Sequence, residues 1–446
     1  MSDLLLRELS AMGPHCPVVT AGHQDYDLSR KVWNGVVDRH PIAIIEPQNV
    51  DDVRRAVHAA AAARVLLAIR GGGHSFPGFS TCDGGLVVDL KHLNSISIDR
   101  SAGTVEVGGG ALLGDLDHAT VPEGFVVPAG VISHTGVAGL TLGGGMGWSS
   151  RRYGLTIDSL LGAEIVTAAG DVVWASEASE PELFWGIRGG GGNFGVVTRF
   201  KFKLHPLGPV VVGQWNYPLT SARQALRMLR EQDNGHSRDQ ALTITLTTTG
   251  LNVTAVWSGN LALAEAALSP LGALAANGVG NMGVLPFLTL QSRNDEHFSW
   301  SRRYYSKGGF WPDITDEAID RAMVAIADAP TPDCEIYAIQ LGGAVCDVGE
   351  DATAYSGRSA GYYWISEPVW DAPADDDRCI AWGRATGKSL SSSAVAGNYV
   401  NEQADADASV ALEAYGAQKY ERLARLKAKV DPHNLLRLNQ NIAPLV

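Results

Sequence analysis

The chain has 446 residues, a formal charge of −13 and a pI near 5.4, with 45% hydrophobic residues. That length exceeds what one core usually serves and predicts two domains; an evenly acidic chain repels nucleic acid and anionic membranes, leaving a small molecule as the expected partner. Cys16, Cys82, Cys334, Cys346 and Cys379 show neither CxxC nor paired-histidine spacing, which argues against a disulfide framework and a metal site, and the lack of an apolar leader or of about eighteen consecutive apolar residues predicts a soluble, cytoplasmic protein.

A polar leader precedes a short strand at Pro41–Ile45. Asn49 then reads as the cap of a helix with Asp51 and Asp52 in its first turn, where carboxylates suit the helix dipole. The apolar run from Val65 to Ile69 breaks into Arg70-Gly71-Gly72-Gly73-His74-Ser75, which reads as a strand feeding a loop whose bare backbone turns N–H groups toward one anion. Three further strands are predicted at Leu86–Leu90, Ser95–Ile98 and Thr104–Val107. A second glycine cluster runs from Gly136 through Gly139, Gly143, Gly144, Gly145 and Gly147. A third, Arg188 to Thr198, leads into the alternating strand Arg199–Leu204. No period relates the clusters, and Trp, Phe and Arg among them speak against flexible linkers, so a shared ligand-binding role is expected.

Two motifs are decoys. Gly190, Gly192 and Gly195 satisfy GxGxxG, but a helix-like Pro181–Trp185 precedes and a strand follows, the reverse of a dinucleotide fingerprint. Gly357-Arg-Ser359-Ala-Gly361 fits the nucleophile-elbow pattern yet runs into the strand-like Tyr362–Ile365.

The three clusters, together with Tyr153-Gly154-Leu155 and the tail Asp431-Pro-His-Asn434 to Asn439-Gln440-Asn441-Ile442, resemble the berberine-bridge-enzyme-like flavoproteins of the vanillyl-alcohol-oxidase superfamily. The resemblance covers roughly the first 200 residues and the last 50. It implies an α+β fold of two domains: an FAD-binding domain over residues 1–207, completed by 397–446, and a substrate domain over 208–396 with an antiparallel sheet backed by helices. It further implies that FAD lies on the glycine backbone and that His74 is bonded to it covalently. Arg70, Gly71, Gly72, Gly73, Ser75, Gly78, Thr135, Gly136, Gly139, Gly143, Gly144, Gly147, Val197, Asn401, Asn439 and Asn441 are the other positions it places against the cofactor. Many relatives tether the flavin a second time through a cysteine; here Gly130-Val131-Ile132-Ser133-His134-Thr135-Gly136 has Ile132 at that position, so a single link is expected. Thr135, of intermediate size, matches the position that controls oxygen access and favours O2 as acceptor. His134 beside it reads either as a polar active-site group or as a loop histidine serving local hydrogen bonds.

In the middle region a hairpin is expected at Ala241–Thr249 and Asn252–Trp257, further strands at Glu335–Leu341 and Tyr362–Ile365, and helices at Leu261–Leu268, Asp316–Ala327 and Asp375–Leu390. In Tyr399-Val400-Asn401-Glu402, Glu402 replaces the second tyrosine of the family segment Tyr-x-Asn-Tyr. It is a candidate catalytic base if burial raises its pKa, and a solvated glutamate otherwise; Tyr399 and Tyr363 are the other candidates. A last helix is expected from Tyr415 to Val430, stopped by Asp431-Pro432. The resulting expectation is an FAD-dependent oxidase of a small alcohol, sugar lactol or amine. A flavin dehydrogenase, a redox-neutral cyclase and a flavin-binding protein without turnover are the alternatives.

Overall fold

The computed structural model describes residues 2–232 and 237–445. Its first sheet has four strands in the order Val18–Thr20, Ala43–Ile45, Leu86–Asp89, Leu67–Arg70. The last three are parallel and read as short unbroken apolar runs because helices cover them. Chief among these helices is Val50–Ala63, whose start is fixed by the Asn49 side chain accepting the Asp52 N–H at 3.0 Å.

The residues expected to form a polar leader are instead a helix, Ser2–Ser10. Leu5 and Leu9, one helical turn apart, are fully buried in the same core as Val53, Val57 and Ala60.

A five-stranded antiparallel sheet follows, in the order Ile96–Asp99, Thr104–Gly108, Val196–Lys203, Leu160–Val166, Val172–Ala175. The strand leaving the third glycine cluster is thus its centre, flanked on both sides, which anchors that cluster in the FAD-side core. The GxGxxG stretch has the helix Pro181–Ile187 before it and this strand after it, as its sequence context implied. Ser359 of the second decoy is exposed and leads into the strand Tyr362–Glu367.

The third sheet, seven-stranded and antiparallel, runs Val279–Leu285, Val210–Pro218, Gly250–Trp257, Gln240–Thr247, Glu335–Gln340, Tyr362–Glu367, Lys307–Trp311. Helices Leu219–Gln232 and Asp316–Ala327 bury Ala222, Leu226, Leu229, Ile319, Ala322 and Ile326 against one of its faces. The hairpin expected near Gly250 is present. The stretch expected as one helix at Leu261–Leu268 is a short 3-10 turn, Leu261–Leu263, followed by Ala264–Leu268, after which Ser269–Ala273 continues as 3-10 around Pro270.

The final helix begins earlier than expected, at Ala408, because Asp407 accepts the Ser409 N–H at 2.9 Å and caps it. It is kinked at Gly416, where φ is +67°. It packs Ala411, Ala414, Leu423 and Ala424 into the core of the five-stranded sheet, so the chain's end completes the domain that its beginning founded.

Candidate active site

A cavity of about 500 Å³ lies between the glycine clusters and the open face of the seven-stranded sheet. Gly71, Gly72, Gly73, His74 and Ser75 line one end of it, and Thr135, Gly136, Gly139, Gly147, Val197 and Asn439 continue that wall. Tyr399, Asn401 and Glu402 join it from the C-terminal segment. Among the described residues, the backbone N–H groups of Gly72, Gly73 and His74 find no protein acceptor. Buried N–H groups are rarely left so, and a row of them facing a cavity suits an anion such as a pyrophosphate. The loop is held against the second cluster by contact of backbone on backbone: a Cβ on Gly72 would overlap the N and Cα of Gly136.

His74 is the best-determined side chain of the site. Its ring stacks on Trp33 at 4.5 Å and 19°, and Trp300 meets it edge-on at 6.4 Å. Nε2 of His74 lies 2.6 Å from Nδ1 of His134, and Nδ1 of His74 has no partner among the described residues. Burial, and secondarily the neighbouring His134, hold the His74 pKa well below the usual histidine value, so the ring is neutral. His134 is itself placed through its neighbour Ser133, whose N–H and Oγ both bond Asp295, at 2.9 and 2.5 Å. Ile132, at the position of the second tether in relatives, packs beside Phe76 in the small cluster around Trp33 and Phe298.

On the opposite side, Glu402 accepts the Tyr337 hydroxyl at 3.1 Å. Burial pushes its pKa up to about 7, with that hydrogen bond opposing the shift. Tyr399 receives the N–H of Gly145 at 3.2 Å and Nδ2 of Asn401 at 3.0 Å on its phenolic oxygen. Burial, followed by the charge of Glu402, keeps its hydroxyl protonated. A carboxyl with a pKa near neutrality is therefore the better proton acceptor of the two. Asn401 spends its amide on the carbonyls of Gly139 and Leu140 as well as on Tyr399, so it positions the glycine helix and the tyrosine together.

Six of the expected site residues stand behind this wall. Arg70 points to the other face of its strand, where it is buried against Asp89 at 3.3 Å and the carbonyls of Ser80 and Ser29 at 3.2 and 2.5 Å; it braces the loop from beneath. Gly78 is a turn position with φ +73°, its N–H bonded to Ser75 and its flank filled by Val37. The space beside Gly143 is taken by Asn401, and that beside Gly144 by Tyr355. Tyr363 is buried one layer back, packed between Phe310 and Tyr399 at ring distances of 5.2 and 5.6 Å. Asn441 lies off the wall, because the tail bends through residues 438–440 and turns Asn439 and Gln440 to the cavity. Trp33, Tyr337, Glu335, Glu367 and Gln440 also line the cavity. Of these, only the strand pair bearing Glu335, Tyr337 and Glu367 had a signal in the sequence: alternation predicts one shared face, though not which face meets the cavity.

The cradle, the neutral imidazole and the tail fit FAD. Residues 41–176 match the FAD binding domain family and residues 398–443 the berberine and berberine-like family. An FAD-linked oxidoreductase of Dictyostelium discoideum is 32% identical over 433 residues, spanning 96% of this chain and 94% of the relative. The (R)-6-hydroxynicotine oxidase of Paenarthrobacter nicotinovorans is 38% identical over 207 residues, 46% of this chain and 44% of its own. Two solved structures share the whole fold at 25% identity and a TM-score of 0.89: 6-hydroxy-D-nicotine oxidase from Arthrobacter nicotinovorans, covering 98% of this chain and 99% of its own, and xylooligosaccharide oxidase from Myceliophthora thermophila in complex with xylobiose, covering 99% and 100%. The chain belongs to the berberine-like FAD-linked oxidoreductases, and its α+β architecture is that of the family.

Proposed function

We propose that this oxidoreductase carries its FAD on a single covalent link through His74, oxidises a small organic substrate at a carbon bearing a hydroxyl or amine group, and passes the electrons to O2, yielding H2O2. When bound, the flavin supplies the hydride acceptor. The observation that carries the reading is that one cavity joins a neutral His74, with one ring nitrogen free and the other set against His134, to a carboxyl poised near neutrality at Glu402. A neutral imidazole is a competent nucleophile, and a proton carried on Nε2 of His74 would have His134 Nδ1 as its acceptor. Glu402 takes the substrate proton, Tyr337 and Tyr399 fix the carboxylate's surroundings, and Asn401 keeps Tyr399 in register with the glycine helix. Thr135 lies on the cavity wall, and its intermediate size supports O2 as acceptor.

The test is the intact mass of denatured wild-type and His74→Ala protein, followed by anaerobic addition of candidate substrates. A mass increase of one FAD that vanishes in the variant, and flavin bleaching that reverses quickly on admitting air, is the expected result. Flavin released by denaturation overturns the covalent link; bleaching that air reverses only slowly overturns O2 as acceptor.

A further inference from the structure

The substrate side of the cavity carries three carboxyl side chains from separate stretches of chain. Glu335 and Glu367 are direct cross-strand partners on adjacent strands of the seven-stranded sheet, and Glu402 arrives from the C-terminal segment; all three line the cavity. Side chains opposite one another on a sheet lie close, and like charges there repel. Glu367 is 2% exposed and lines the cavity, and its side chain makes no hydrogen bond or ion pair with any described residue. Glu335 has His297 at 3.9 Å, beyond hydrogen-bond reach. Glu402 has only the neutral Tyr337 hydroxyl.

The groups around them supply no counter-charge. Glu335 faces Asp333 and His297, Glu367 faces the other two glutamates, and Tyr337, Tyr363 and Tyr399 surround Glu402. Arg293, the one Arg or Lys among the described lining residues, is bound to Gln214 at 2.8 Å. It makes no ion pair with any described residue, and burial lowers its basicity. Arg302 is engaged by Asp333 and Asp371. Unpaired buried carboxyls are costly, and here the cavity side is the direction from which a partner can come.

Resting on the oxidase reading above, we infer that the wall formed by Glu335, Glu367 and Glu402 selects a substrate carrying a cationic nitrogen, an alkyl or cyclic amine, over a neutral alcohol or sugar of the same size. Glu367, buried and unpartnered, is the principal anion for that nitrogen. Glu335 beside it adds to the negative potential, and Glu402 remains the proton acceptor. The remaining sheet residues toward the cavity, among them Gln214, Thr243, Thr245, Thr254 and the apolar Ile339, are uncharged and hold the rest of the molecule.

Holoenzyme titrated anaerobically with paired probes tests this through perturbation of the bound flavin's absorption. The pairs are amines graded from methylamine to tryptamine, each with its isosteric alcohol or neutral analogue, and xylobiose as an uncharged sugar. At pH 8.5 the best amine is expected to bind at least about tenfold more tightly than its neutral partner. Glu367→Gln is expected to erase that preference through loss of amine affinity, and Glu335→Gln to reduce it. Flavin content of each variant reports folding separately. Equal or tighter binding of the neutral probes, no binding by any amine, or a preference untouched in both variants overturns the inference. A sugar or alcohol that bleaches the flavin while the amines do not would overturn the amine assignment and leave the oxidase reading standing.

Discussion

Nε2 of His74 lies 2.6 Å from Nδ1 of His134, and the two rings, from loops sixty residues apart, meet at 4.7 Å between centroids. The pair orients the His74 ring, and with the proton held at Nε2 the other nitrogen keeps its lone pair. His134→Ala is therefore expected to slow covalent attachment by roughly 10²-fold or more, the usual loss on removing a positioned base. In-gel flavin fluorescence after mixing apoprotein with FAD measures the rate; attachment at the wild-type rate would refute the role.

Glu402 gives the reductive half-reaction a pH limb. Its pKa of about 7 means that the carboxylate, the form able to take a proton, is present above that pH and lost below it. Substrate-driven flavin reduction should rise through pH 7 and level off above. Glu402→Gln should remove the limb and slow reduction by roughly 10²- to 10⁴-fold.

Asp117 produces a pH effect on stability. It is 2% exposed with one oxygen unpartnered, and burial raises its pKa to about 8 from 3.8. The folded state thus holds a proton that the unfolded state releases, so stability falls as pH rises from about 4 to about 8, by about 1.4 kcal/mol for each pH unit. Asp117→Asn should flatten that slope in thermal unfolding, with its largest gain near pH 8.

Gly72 and Gly139 separate fold from cofactor contact. An added Cβ at Gly72 strikes the backbone of Gly136, which has nowhere to move, whereas at Gly139 it meets nothing within 4 Å. Gly72→Ala should lower both the melting temperature and flavin content. Gly139→Ala, in which the methyl enters the cavity, should keep the circular dichroism and lose flavin retention.

Lys427 and Asp431 are fully buried, 2.7 Å apart, and join the last helix to the tail. Lys427 also donates to the carbonyls of Asn193 and Leu436 at 2.7 and 3.0 Å, and Asp431 accepts the N–H groups of Leu435 and Leu436. Lys427→Met leaves a buried carboxylate uncompensated and should cost roughly 3–5 kcal/mol in denaturant unfolding.

The sequence by itself determined the elements whose cause is local. Asn49 caps a helix because its side chain reaches three residues on, Val196–Lys203 is a strand because it alternates, and the loop at Gly71–Gly73 follows from glycine's backbone freedom. The cofactor and family were legible for the same reason: contiguous backbone makes the cradle. Tertiary structure decided whatever depends on which distant surface a residue meets. Leu5 and Leu9 look like a leader until Val50–Ala63 gives them a core, Arg70 keeps its place in the motif yet points behind the wall, and Tyr363, a candidate base by sequence, stands one layer back. In sequence Glu402 reads equally as a base and as a solvated glutamate; only the sheet bearing Tyr337 and Glu367 removes its water and moves its pKa.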